Sequence, residues 1–456
     1  MSFPSDFVWG AATSSYQIEG AVHEGGRGDS IWDLFCRTPG AIYKGHNGFV
    51  ACDHYHRYAE DADLLTGLGA QAYRFSIAWP RIQPTGVGPA NQAGLDFYDR
   101  LVDALLARGI DPYVTLYHWD LPTALHYEGG WANPDIPQQF GEYTTHVAKK
   151  LGDRVKNWMT HNEPQCSIYL GCGAGVHAPG WKRPFEELRV MARNVLLSHG
   201  YSTLALKAEI PGCKVGMAPV GQTCIPASRS AEDIAAAKHQ MLGIRPDSLW
   251  EMPLWLDPIV FGEYREDVLR DPVAVPHLSE ADLKVIHQPM DFLGLNIYSA
   301  PIIKAGEGGK PATLDDSIDD PLTAFRWLVR PESLYWGPKI SHERYGLPIY
   351  ITENGLSNVD WVGLDGKVQD PQRIDFTRRY LTELGRAVDD GVPVEGYFHW
   401  SLLDNFEWAE GYKERFGLIH VDFTTGTRTP KQSYHWYREV IASNGESLRA
   451  DPSTVV

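Results

Sequence analysis

Thr160-His161-Asn162-Glu163-Pro164 and Ile351-Thr352-Glu353-Asn354-Gly355 each place a glutamate directly behind a short apolar-aromatic run, at residues 155–159 and 347–351. Such runs read as buried strands. Two carboxyl groups carried to one place by strand ends can cleave a glycosidic bond, one moving a proton while the other attacks the anomeric carbon. A lone glutamate in such a place more often forms a salt bridge or anchors a loop. Two of them, each beside an asparagine (Asn162, Asn354) and aromatic neighbours, favour chemistry.

A scaffold that joins the two segments is legible in the alternation of strand and helix. Eight apolar runs fit strands: residues 7–12, 72–78, 112–117, 155–160, 214–219, 292–298, 348–352 and 394–400. Helical patterns lie between them. Asn91 is placed to cap a helix in which Leu95, Tyr98, Leu101, Val102 and Leu105 follow 3.6-residue spacing until Gly109. Phe376, Tyr380, Leu384 and Val388 make a second stripe, ended by Gly391 and Pro393, and residues 55–68 and 138–151 behave alike. Eight strands alternating with helices predict an α/β fold, a (β/α)8 TIM barrel rather than an open sheet. On that barrel Glu163 ends the fourth strand and Glu353 the seventh, both at the C-terminal face. The stretches 225–289 and 300–345, rich in Pro, Gly and Asp, are expected to be long loops with short helices over that face. The expectation is one catalytic domain over residues 1–456, with a core at about 7–440 and a short polar tail.

Composition narrows the partners. Of the 456 residues 43% are hydrophobic and 22% charged, which suits a globular chain with ample core. Fifteen Trp and 22 Tyr can supply rings that stack on sugar faces, although most should serve the core. A formal charge of −17 argues against nucleic acid or an anionic membrane surface as partner. No apolar run approaches the length of a membrane span. Met1 to Asp6 contain neither the basic nor the apolar part of an export signal. Six cysteines without paired spacing suit reduced thiols, so a cytoplasmic location is expected. His54 and His56, near Cys52, invite thoughts of a metal, but one-residue spacing at a helix start turns the two imidazoles to different faces. Packing roles and no metal are expected there. With no glycine-rich phosphate loop, no cofactor is expected either. Oligomeric state is not legible.

Further segments lie in order along the chain: Phe7-Val8-Trp9-Gly10-Ala11-Ala12-Thr13 through Gln17-Ile18-Glu19-Gly20, Tyr73-Arg74-Phe75-Ser76, His118-Trp119-Asp120, Asn296-Ile297-Tyr298, His399-Trp400-Ser401 and Asp404-Asn405-Phe406-Glu407-Trp408. With the two glutamate segments they resemble glycoside hydrolase family 1, the β-glucosidase family, from residue 7 to about residue 437. The resemblance implies a retaining, exo-acting β-glycosidase in which Glu163 is the acid/base and Glu353 the nucleophile, with carboxyl groups roughly 5–5.5 Å apart. It implies that Arg74 and Tyr298 keep Glu353 ionised, while the charge of Glu353 raises the pKa of Glu163. Gln17, His118, Asn162 and Glu407 match positions that bind the sugar hydroxyls, Asn162 near the 2-hydroxyl. Trp119 and Asn296 join that set. Trp400 and Trp408 match the platform and side wall of the pocket, Phe416 its edge near the 6-hydroxyl, and Trp327 the platform for the group leaving the sugar.

Glu407-Trp408 stands where relatives that act on 6-phosphorylated sugars carry smaller, phosphate-friendly residues, and a carboxylate there repels a phosphate dianion. The resemblance therefore implies a small, unphosphorylated glycoside as substrate: a β-D-glucoside, or also a galactoside or fucoside. Lys413 keeps the 6-phospho-β-glucosidase reading open, and a transglycosidase would use the same scaffold. A non-catalytic glycan-binding barrel would lack one carboxylate, and both are present. His161 and Cys166 depart from or flank the common pattern around Glu163 and are expected to tune its surroundings. His177, Tyr169, Cys172 and Trp181 are expected to border the entrance.

Overall fold

The computed structural model describes residues 3–271 and 274–449. Eight parallel strands close into a barrel: β1 (Val8–Ala12), β2 (Ala72–Ser76), β3 (Asp111–Tyr117), β4 (Asn157–Asn162), β5 (Lys214–Ala218), β6 (Phe292–Asn296), β7 (Ile349–Asn354) and β8 (Val394–Trp400). Each of the eight expected runs is one of these strands, with ends displaced by up to two residues. Helices His54–Leu68, Gln92–Leu106, Ile136–Leu151, Phe185–Glu209, Glu280–Ile286, Ser333–Tyr345, Pro371–Asp389 and Gln432–Ala442 alternate with them. The fold is a (β/α)8 TIM barrel.

The strands are buried on both faces, which is why they read as apolar runs rather than alternating ones. Inside the barrel, Tyr113, Phe292, Tyr350 and Phe398 interlock, with Tyr113–Phe398 and Phe292–Tyr350 centroids 5.0 and 5.1 Å apart. Small residues make room for these rings. A Cβ on Gly216 would stand 2.5 Å from the Phe292 ring, and one on Gly10 would stand 2.6 Å from Phe398. This plug closes the lower barrel, so polar side chains above it are shut off from solvent below. A second, larger core fills the space between strands and helices.

Several expectations change. Asn91 is the N-cap of helix Gln92–Leu106, yet its side chain does not bond the helix N-terminus. Its amide donates instead to the carbonyls of Gly25 and Arg81 at 2.6 and 3.0 Å, tying a loop to the preceding turn. The two long excursions contain helices as expected. They also contribute a small three-stranded sheet from Ile225–Pro226, Ile302–Ala305 and Pro311–Thr313. Strands of two to four residues are too short to leave a period in the sequence. At the C-terminus, helix Gln432–Ala442 and a turn at Glu446–Arg449 carry order past residue 440. Residues 450–456 of the expected tail, and Met1 and Ser2, lie outside the described residues. Among the described residues no helix is long and apolar enough to cross a membrane.

Candidate active site

Arg74 on β2 is buried above the aromatic plug and links both glutamate segments. Its Nη1 donates to Glu353 Oε1 at 2.7 Å and to the Thr352 carbonyl at 3.0 Å. Nη2 donates to Asn162 Oδ1 at 2.6 Å, and Nε to Thr115 Oγ1 at 3.3 Å. The Tyr298 hydroxyl donates to the other oxygen of Glu353, at 2.8 Å. Asn296 spans the gap to the second carboxyl: its Nδ2 donates to Asn162 Oδ1 and to Glu163 Oε1, both at 2.9 Å. Thr352 Oγ1 donates to Asn296 Oδ1 at 2.7 Å. One hydrogen-bonded layer thus brings together Arg74, Asn162, Glu163, Asn296, Tyr298 and Glu353.

Local irregularities aim the two glutamates. Along β4 three steps, Met159 to Asn162, face two steps on β5, Gly216 to Ala218. Along β7 two steps, Ile351 to Glu353, face one on β6. Each is one extra residue, a β-bulge, and a bulge re-aims the side chains that follow it. Met159 and Tyr350 face the barrel interior, so strict alternation would send His161 inward and Glu353 outward. The extra residue reverses both. His161 turns to the helical layer, where Nε2 meets Ser198 Oγ at 2.8 Å and the ring stacks on Phe140. Burial holds it well below its ordinary pKa, so it adds no charge to the cavity, contrary to the expectation that it tunes the site. Glu163 follows with φ +43°, a left-handed conformation unusual for a side chain of this size, and its N–H donates to the Ala218 carbonyl at 2.8 Å.

The two carboxyls differ in company. Glu163 accepts only from neutral donors, Asn296 and the Cys166 thiol (3.1 Å), while Glu353 accepts from a guanidinium and a phenol. Burial, and next the charge of Glu353, push Glu163 up to about 7. The expected cause is therefore present but second to desolvation. Burial also raises Glu353, and Arg74 and Tyr298 oppose that rise. The proton near neutrality belongs on Glu163, because Glu353 alone has a cation in contact.

Above this layer lie the remaining residues. Asn162 Nδ2 meets His118 Nε2 at 3.1 Å, and the Trp119 indole donates to the Asn162 carbonyl at 2.9 Å. His118 stacks between Trp400 and Trp408, with centroids 5.8 and 5.9 Å away. Burial keeps it neutral. The peptide between Trp400 and Ser401 is cis. Gln17 donates through Nε2 to Asn405 Oδ1, the Phe406 carbonyl and Glu407 Oε2 at 3.0, 2.9 and 3.3 Å. Tyr298, Trp327 and Phe416 form an aromatic wall with centroids 5.1 to 6.1 Å apart.

Burial, then the charges of Glu353, Glu414 and Glu163, push Glu407 well above its ordinary value. Without substrate Glu407 is thus poised to hold a proton rather than a fixed negative charge. Lys413 lies against Glu410 and 3.6 Å from Glu414. It is therefore already occupied by carboxylates. Cys172 is buried, and Tyr169 and Trp181 pack on Trp250 and His126. His54 pairs with Asp61 at 2.7 Å in the interior, and His56 with Asp53 and Glu24 at the surface. A groove of about 1340 Å³ on the barrel flank, lined in part by Arg330, Trp336 and Phe376, contains none of the expected site residues. Thr115 lies in an expected strand run but outside every motif singled out in the sequence, and Thr352 and Asn405 stand inside such motifs without an assigned role; all three hold the named residues in place. Thr352 is adjacent to Glu353, and that neighbourhood was its only signal.

Known proteins resemble this chain over almost its whole length. The family model described as Glycosyl hydrolase family 1 matches residues 1–446. Beta-glucosidase A of Acetivibrio thermocellus is 46% identical over 98% of this chain and 99% of its own. A bifunctional beta-D-glucosidase/beta-D-fucosidase of Bifidobacterium breve is 41% identical over 97% and 99%. The solved structure of a beta-glucosidase from Thermotoga maritima in complex with deoxynojirimycin superposes with a TM-score of 0.89 at 43% identity, covering 97% of this chain and 99% of that one.

Proposed function

The chain belongs to glycosyl hydrolase family 1 and is a glycosidase, and from that premise we propose that it is a retaining, exo-acting β-glucosidase. It removes terminal non-reducing β-D-glucosyl residues from short oligosaccharides or aryl and alkyl glycosides. The curated relative that acts as both glucosidase and fucosidase supports some tolerance at the sugar, extending to β-D-fucosyl residues, and we extend the reading to β-D-galactosyl residues. The carrying observation is the unequal pair of buried carboxyls: Glu353 gripped by Arg74 and Tyr298, Glu163 facing only neutral donors.

Glu353, as carboxylate, attacks the anomeric carbon while Glu163 protonates the departing oxygen. Once Glu353 is esterified its charge is gone, and one of the two influences that raise Glu163 disappears with it. Glu163 then loses its proton more readily and can activate water to release the sugar. Asn162, Gln17, His118, Trp119, Asn296 and Glu407 hold the hydroxyls, with Asn162 near the 2-hydroxyl. Trp400 and Trp408 make the platform and side wall, Phe416 an edge, and Trp327 the platform for the leaving group.

An unphosphorylated sugar is favoured because Lys413 is occupied by Glu410 and Glu414 and three carboxyls crowd Glu407. A phosphate dianion would meet only one buried cation in this layer, Arg74, already held by Glu353. We read residues 1–456 as one catalytic unit, needing no cofactor and binding neither nucleic acid nor membrane. Six unpaired cysteines support a cytoplasmic location.

Azide rescue tests the roles. Glu353→Ala should give the α-glycosyl azide and Glu163→Ala the β-glycosyl azide from an activated aryl glucoside. The opposite anomers would reverse the assignment. In a parallel panel, p-nitrophenyl β-glucoside should be cleaved and its 6-phosphate left intact, and the converse would refute the substrate.

A further inference from the structure

The donors and acceptors around Glu163 can be assigned outward from one group that has no choice. A guanidinium only donates, so Arg74 Nη2 makes Asn162 Oδ1 an acceptor. Asn296 must then face Asn162 Oδ1 with its NH2, which leaves its Oδ1 to accept from the Thr352 hydroxyl. The second N–H of that amide points at Glu163 Oε1. Oε1 is therefore an acceptor in every protonation state. The carbonyl oxygen of a carboxylic acid is its better acceptor, so the catalytic proton is favoured on Oε2, where it meets the sulfur of Cys166.

We propose that Cys166 is a positioning residue for the acid/base: it keeps the proton of Glu163 on Oε2 and reverses its own hydrogen bond during the cycle. This deepens the reading of Glu163 as acid/base and rests on it. A thiol can both donate and accept, unlike the amide on the other oxygen. Before cleavage Oε2–H is free to turn between sulfur and the glycosidic oxygen, and that proton leaves on the departing group. The carboxylate that remains accepts S–H from Cys166, and a proton taken from water restores Oε2–H. No bond to sulfur forms or breaks, and the thiol keeps its hydrogen throughout. Two features suit the task. Cys166 is buried in the first residue of the π-helical segment Cys166–Ala174, three residues after Glu163, which fixes the sulfur beside the carboxyl. Burial and the adjacent Glu163 charge raise the thiol well above its ordinary pKa, so it remains S–H.

The test is the pH dependence of kcat/KM for an aryl β-glucoside in Cys166→Ala and Cys166→Ser, with Cys172→Ala as control for lost sulfur packing in the same segment. A donor to the ionised form lowers the pKa of Glu163. Removing it in Cys166→Ala should move the basic limb up by about half a pH unit, and the stronger hydroxyl donor of Cys166→Ser should move it down. The control should leave the limb in place. Limbs that coincide in all three variants, whatever their rates, would overturn the proposal. The S–H stretching band of the unmodified protein gives an answer that does not depend on a variant at Cys166. One S–H component should shift as pH crosses the basic limb and should stay still in Glu163→Gln, and a band indifferent to pH would refute the reversal. Azide rescue of Glu163→Ala reports separately on whether Glu163 is the acid/base at all.

Discussion

Glu163→Gln exchanges a carboxyl that can lose its proton for an amide that cannot, at nearly constant shape. The amide meets the same partners in the same sense, its carbonyl accepting from Asn296 and its N–H donating toward the Cys166 sulfur. The variant therefore mimics the protonated state. In the folded protein Glu163 is raised from its ordinary 4.5 to about 7, by burial first and by Glu353 second. The folded chain then binds this proton more tightly than the unfolded chain does. Its contribution to stability is fully present below about pH 4.5 and is lost as pH rises through about 7. A rise of that size corresponds to at most about 3 kcal/mol above both values. Part of it belongs to the pair, because neutralising one carboxyl also relieves the other. Urea-unfolding midpoints of the two proteins without substrate, followed from about pH 4 to pH 9, measure it. The curves should meet near pH 4.5 and diverge upward, with Glu163→Gln the more stable by up to about 3 kcal/mol at the alkaline end. A constant offset across the range, or a wild type that is the more stable at alkaline pH, would refute the claim that Glu163 is held protonated.

Two further substitutions probe the same layer. Tyr298→Phe removes a hydrogen bond of 2.8 Å to Glu353 and keeps the ring against Trp327 and Phe416. A bond to a charged group contributes about 1.5–3 kcal/mol, so kcat/KM should fall at least tenfold on the acid side and its acid limb should move to higher pH; a fall in rate with no movement of the limb would contradict the role. Gly355→Ala would set a Cβ 1.8 Å from the Trp400 carbonyl oxygen, a backbone atom that cannot swing away. Overpacking of this kind costs about 1–3 kcal/mol or more, and KM for the glucoside should rise with the displaced Trp400 while the thermal midpoint drops; an unchanged KM would show that the contact is relaxed elsewhere.

The barrel was legible because each strand is buried on both faces, so burial itself wrote apolar runs into the sequence, and helix stripes such as Leu95-Tyr98-Leu101-Leu105 separated them. The glutamate pair was legible for the same reason, since each closes such a run. What local pattern could not carry was the destination of polar side chains. Asn91 looked like a helix cap and instead joins two loops, because the acceptors it serves, Gly25 and Arg81, are 66 and 10 residues away. His161 looked like a neighbour of the cavity, yet it turns toward the helical layer. No local rule separates a cysteine that meets a carboxyl, Cys166, from one six residues later that meets only a carbonyl at 4.0 Å.

The placement of the glutamates shows why spacing alone falls short. A period-two reading, carried through from the inward side chains Met159 and Tyr350, would put Glu353 on the helical side of β7, away from Arg74. Each strand instead admits one extra residue before its glutamate's layer, and the partner strands β5 and β6 do not follow. At Glu163 the backbone also adopts a left-handed conformation, which costs about 1–3 kcal/mol in general and persists only where surroundings enforce it. Here they do: its N–H is held by Ala218, and its carboxyl by Asn296 and Cys166. Glu353 is enforced from the other side by Arg74 and Tyr298. The irregularities therefore belong to the chemistry. Without them the barrel could be equally well packed, but one carboxyl would face the core and the unequal pair would not exist.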